Sequence, residues 1–67
     1  MALIKIREVI ATSSKSFEDA LQEALKHAAV SKKNVTGMKI LNQSVEVKDD
    51  KIVEYKVNIK VAYRWEE

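Results

Sequence analysis

The chain has no cysteine, no proline, a single glycine and a single histidine among its 67 residues. Without cysteine it has neither a disulfide nor a thiolate metal site. One histidine excludes a multi-histidine metal centre within one chain. Long apolar runs are also missing. The opening "MALIKIREVI" is broken by Lys5, Arg7 and Glu8, so it does not read as a secretory signal, and nothing approaches transmembrane length. A cytoplasmic location and no membrane partner are expected. Charge is nearly balanced, at a formal +2 with a sequence pI of about 9.0, which gives only a weak pull toward anionic partners.

What is present reads as one small globular domain, residues 1–67, with 33% charged and 46% hydrophobic residues. A chain of this length buries a modest share of its surface. Small scaffolds gain stability from disulfides, metals or association. With the first excluded and most metal sites with it, self-association is the expected aid.

Four segments emerge. "LIKIREVIA" (Leu3 to Ala11) mixes β-branched and charged residues and reads as a strand. "TSSKS" (Thr12 to Ser16) is a polar break; Ser16 suits an N-cap, and Asp19 three residues on suggests a capping box with a shortened acid. In "FEDALQEALKHAAVSKK", Phe17, Ala20, Leu21, Ala24, Leu25 and Ala28 form one stripe at helical period. Acids early (Glu18, Asp19, Glu23) and lysines late (Lys26, Lys32, Lys33) complement the helix dipole. Asn34 offers a left-handed exit.

"MKILNQSVEV" (Met38 to Val47) and "IVEYKVNIKVAYRW" (Ile52 to Trp65) read as a pair of strands. In the second, Val53, Tyr55, Val57, Ile59, Val61, Tyr63 and Trp65 share one face, with Glu54, Lys56, Asn58, Lys60 and Arg64 on the other. A three-residue loop, Asp49 to Lys51, would pair Val47 with Val53, Val45 with Tyr55 and Leu41 with Ile59. It joins apolar faces, so it is preferred to a two-residue loop. It calls for a type I turn and a left-handed Asp50. The expected architecture is α+β, in the order β-α-β-β: a three-stranded antiparallel sheet with one helix across it. Some sixteen helical residues span roughly 24 Å, whereas the last strand could run to about 40 Å. One helix cannot cover that hairpin, so Tyr63 and Trp65 need other subunits or a curled sheet.

Each chemically suggestive group also has a plain structural reading. His27 follows Glu23 by one turn and reads as its exposed partner rather than as an acid or base. "TSSKS" lacks the glycine that would bring backbone to a phosphate. The lysines of "SKKN" and Lys39, Lys56, Lys60 and Arg64 are interleaved with acids and lack aromatics on their face, so no nucleic-acid partner is expected. Glu46, Asp49, Asp50 and Glu54 could hold a hard cation only where several chains meet. Tyr63 and Trp65 read as core or subunit contacts before ligand platforms. The lone Gly37, in "NVTGMKI", reads as a hinge or a close backbone approach. Nothing assembles a nucleophile, base and oxyanion donor, so no enzyme is expected.

The segments "TSSKSFEDAL", "NVTG" and "VEVKDDKIVEYKVNIKVAY", in that order, resemble the dodecins over nearly the whole chain. The hairpin "DDKIVEYKVNIKV" resembles the family's "DGKIVEYRVNLKV", with Asp50 in place of the glycine. The resemblance implies a β-α-β-β subunit and a hollow homododecamer that stores or buffers ligands without catalysis. It implies flavins held as stacked pairs in the best known members, and coenzyme A or calcium in some bacterial ones. In flavin binders a strand-two tryptophan stacks on the ring, and Gly37 aligns there. A strand-three glutamine bonds the ring's polar edge, and Lys56 aligns there. A glycine has no π surface, and lysine donates without accepting. The expected function is therefore a non-enzymatic binding or storage protein with an altered flavin site. Two alternatives stand beside it: riboflavin or FMN sequestered through modified contacts, and a calcium-binding or structural shell.

Overall fold

Four elements follow in chain order: β1 (Ala2–Ser13), α1 (Phe17–Ser31), β2 (Val35–Lys48) and β3 (Lys51–Glu66). They come from a computed structural model that describes residues 2–31 and 34–66. The three strands form one antiparallel sheet in the order β1-β3-β2, so β3 is central and pairs with both neighbours. The β-α-β-β expectation holds. Lys32 and Lys33, offered as the helix's closing charges, lie outside the described residues.

The period-two pattern of β3 becomes the core. Val57, Ile59 and Val61 are buried with Ala20 of α1, and Val9, Ala11, Phe17, Leu21, Ala24, Ala28, Val35 and Met38 pack around them. Burying each large aliphatic side chain contributes about 1.5–3 kcal/mol. At one edge of this layer Phe17 meets Tyr55 edge-on, with ring centroids 5.1 Å apart and planes at 76°. The opposite face of the sheet carries Glu54, Lys56, Asn58, Lys60, Ala62 and Arg64, with no helix over it.

The helix starts as Ser16 predicts, since its Oγ accepts the Asp19 N–H at 2.9 Å. The other half of the expected box is different. The Asp19 carboxylate accepts from Ser13 Oγ at 2.7 Å, and Ser13 Oγ in turn accepts the N–H groups of Lys15 (2.9 Å) and Ser16 (3.4 Å). Aspartate is one methylene shorter than the glutamate of a full capping box, and the end of β1 supplies a hydroxyl relay instead. Ser13 is the only buried polar residue among those described, at 8% exposed. Ser13→Ala should cost about 1–3 kcal/mol by orphaning these partners, measured by urea denaturation against the parent protein.

The hairpin corrects the expected register. Lys48 pairs with Lys51 across a two-residue turn in which Asp49 and Asp50 both have positive φ (53° and 62°), as a type I′ turn requires. Val47 pairs with Ile52, not Val53. A bulge between Glu46 and Val47 then passes over Val53 and restores Val45 opposite Tyr55. A second irregularity passes over Leu41, so that Ile40, not Leu41, faces Ile59. The twist-matched primed turn prevails because a bulge repairs the facing at once. Asp50→Gly should stabilise the hairpin by roughly 0.5–1 kcal/mol, because glycine adopts positive φ freely. A higher denaturation midpoint with an unchanged m value would show it.

Asn34 takes the left-handed conformation expected of it, with φ 65°. Its carbonyl accepts the Arg64 N–H at 2.9 Å, which ties the start of β2 to the central strand.

Candidate functional site

Both expected site positions lie on the sheet face that the helix leaves open. Gly37 stands opposite Ala62, which stands opposite Ile6, giving one row across the three strands. Lys56 stands between Thr12 and Ser44 in another row. Paired residues on neighbouring antiparallel strands share a face. Along β3 the two rows are six residues apart, or about 20 Å at 3.3 Å per residue. One chain therefore does not bring Gly37 and Lys56 together.

Gly37 is not the backbone device its rarity suggested. It has no positive φ, and a Cβ added there would meet no heavy atom within 4 Å. Neither turn geometry nor a close approach among the described residues demands glycine. A bulge separates Val35 from Gly37, and Thr36 Oγ1 donates to the Ala62 carbonyl at 3.4 Å. That irregularity is compatible with many residues. The position faces open space.

Lys56 is occupied. Its Nζ lies 3.5 Å from Glu46 Oε2, with both side chains substantially exposed. Such a pair contributes well under ~1 kcal/mol. Glu46 itself pairs in register with Glu54, so Lys56 offsets two carboxylates that face each other. Asp49 and Asp50 are at the turn beyond them. Among the described residues no group of three or more His, Asp and Glu side chains is gathered to hold a metal ion.

Sequence reasoning missed a groove of about 500 Å³ between α1 and the edge strand β1. Ala11 and Ala24 keep it open, Val61 and Tyr63 line it, and Arg7, Glu23 and His27 contribute the polar groups. The alanines of the helix stripe were the available signal, since a stripe that is half alanine cannot fill a sheet-to-helix gap. His27 is exposed beside Glu23, and both His27 and Tyr63 have interactions of their own. Thr12 and Tyr63 add hydroxyl groups to its lining. The side chain of Trp65 lies outside the described residues.

These features define a class: a minimal β-α-β-β fold, covered by its helix on one side, with Gly37 and Lys56 on the uncovered face of the sheet. A family model described as Dodecin matches residues 3–66. The chain belongs to the dodecin family. A point variant of the dodecin from Thermus thermophilus superposes with a TM-score of 0.94 at 25% identity, over 100% of both chains. Dodecin from Streptomyces coelicolor gives 0.93 at 20% identity, covering 98% of this chain and 94% of that one. A calcium dodecin from Mycobacterium tuberculosis, described as a calcium-chelating antigen with a novel calcium-binding site, gives 0.83 at 23% identity, covering 96% and 91%. At such identities the last two speak for the fold. No curated protein matches the chain. Among the described residues no helix is long and apolar enough to cross a membrane.

Proposed function

We propose that this chain assembles into a hollow homododecamer and serves as a non-enzymatic binding or storage protein whose flavin-stacking position is vacated at Gly37. The observation that carries the altered site is the open space around Gly37, where a side chain would fit and none is present. Lys56, the other position of the family's site, is committed to Glu46 rather than presenting an acceptor.

The surface supports the assembly. A compact monomer of 7.6 kDa should expose about 4,300 Å², and this chain exposes 5208 Å². Its radius of gyration is 13.7 Å, against about 11 Å for a compact chain of this length. Leu3, Ile4, Ile6, Ile10, Val47 and Ile52 are each more than half exposed. Apolar surface on that scale marks an interaction site. Native mass spectrometry of the purified protein tests the proposal, with a twelve-subunit species expected. A stable monomer at all concentrations would overturn the assembly. Tight quenching of riboflavin fluorescence would overturn the altered site.

A second reading, a cation-binding shell, has its own support in the facing Glu46 and Glu54 beside the Asp49–Asp50 turn. A calcium-binding relative of the same fold lends it weight. Calorimetry with calcium separates the two: heat and a raised melting temperature favour the cation, and neither removes it.

A further inference from the structure

We infer that the groove between α1 and β1 is a binding site for a small zwitterion with a compact apolar body, the class to which an apolar α-amino acid belongs. The groove lies on the helix side of the sheet, away from the face that carries Gly37, and the inference does not rest on the reading of that residue. Arg7 pairs with Val61, a core residue of β3, so it shares the helix-covered face of β1 with Val9 and Ala11. A charged residue thus occupies a position where the strand's alternation calls for an apolar one. Arg7 is exposed and lines the groove from the sheet side, while Glu23, also exposed, lines it from the helix side. These opposite charges on opposite walls form no ion pair or hydrogen bond, with each other or with any other described residue. His27 and Tyr63 line the groove too, but each has interactions of its own. The charges left for a ligand are therefore one cation and one anion.

Between the walls the floor is apolar. Ala24 and Ala28 of the helix supply single methyl groups, and Val9 and Val61 supply branched ones. The volume is about 500 Å³. Small-molecule sites commonly measure roughly 300–1,000 Å³ and set a few polar groups into an apolar lining. The charges then select among the ligands that fit. A lone anion on Arg7 would sit beside the carboxylate of Glu23, and a lone cation on Glu23 would sit beside the guanidinium. A zwitterion meets both. Its carboxylate takes the two parallel N–H donors of the guanidinium, and its ammonium donates to Glu23. The apolar body covers the methyl floor.

Calorimetry on the intact protein tests this with three probes that share one ring: phenylalanine, phenethylamine, which lacks the carboxylate, and hydrocinnamate, which lacks the ammonium. Phenylalanine should bind at least about tenfold tighter than either, because each of the others forfeits one charge-assisted contact. Glu23→Gln should bring phenylalanine down to the level of hydrocinnamate, and Arg7→Gln should bring it down to that of phenethylamine. Ala24→Leu, which fills the floor, should abolish binding of all three. Arg7 and Glu23 are exposed, so their variants should melt close to the parent. No detectable binding of phenylalanine, equal affinity for the three probes, or a ranking that survives both charge substitutions would overturn the site. A Glu23→Gln variant that melts well below the parent and binds phenylalanine no more weakly would also count against it, since Arg7 and Glu23 would then close on each other. Riboflavin affinity and subunit number are read on the same samples. Neither depends on the groove, so failure of this site leaves the Gly37 reading untouched, and failure of that reading leaves this site standing.

Discussion

Replacing Ile59 with alanine should lower the unfolding free energy by about 2–5 kcal/mol, a large share of the roughly 5–15 kcal/mol that holds a typical domain folded. Ile59 and Val57 are the largest fully buried side chains, and Ile59 is the middle of the three core positions on the central strand. It faces Val9 on one side and Ile40 on the other. Its loss leaves a cavity beneath α1, and the rest of the core is too small to close over it. The alanines packed there, Ala20, Ala24 and Ala28, have no rotamers with which to fill the gap. Thermal or urea denaturation, followed by circular dichroism at several protein concentrations, measures the loss. Ile59→Val, one methylene smaller, should cost about 0.5–1.5 kcal/mol. Equal stability of the alanine variant and the parent would show that the fold is held mainly by contacts between copies.

The second large effect concerns ligand binding. Gly37→Trp together with Lys56→Gln should raise affinity for riboflavin by roughly 10- to 100-fold. Stacking of a base on an aromatic side chain contributes about 1–3 kcal/mol, and glutamine supplies both a donor and an acceptor. The tryptophan has room, because a Cβ at Gly37 meets nothing within 4 Å. The two rows are about 20 Å apart along β3, so any cooperation between the new side chains must come from different copies. The gain of the double variant over the single ones should therefore vanish when the assembly is dissociated by dilution or mild denaturant. Fluorescence titration reads it directly. An unchanged affinity would favour binding of flavin through other contacts and count against the Gly37 reading.

The sequence revealed most where one rule acted alone. The alternation from Val53 to Trp65 marks the central strand, and the stripe from Phe17 to Ala28 marks the helix, because burial on one side imposes a single period. Ser16 and Asn34 did what their side chains favour. The hairpin register was harder, because two rules competed and the bulge at Val53 satisfied both. The end of β1 was harder still. Ser13 and Asp19 are six residues apart with a turn between them, and their bond depends on where that turn points. The site was legible only in part. Alternation placed Lys56 on the open face, but the distance between its row and that of Gly37 needed the β2–β3 pairing. The groove beside His27 arises from packing between α1 and β1 and has no local signature.

The strand order has a consequence for how the chain comes into being. Neither β1 nor β2 touches the other; each finds its partner in β3, which follows both. The nearest residues that β1 and β3 pair are Ser13 and Tyr55, and the farthest are Ala2 and Glu66. As the polypeptide leaves the ribosome, β1 and α1 have no sheet to join until the last quarter of the chain arrives. Closing such long loops precedes the contacts that reward it, which slows folding and lengthens the exposure of unpaired edges. The hairpin of β2 and β3 can form first around its tight Asp49–Asp50 turn and then capture β1 along its full length. Refolding should accordingly be sensitive to changes at that turn, and the interval before β1 docks is when the apolar residues of neighbouring copies are most open to premature association.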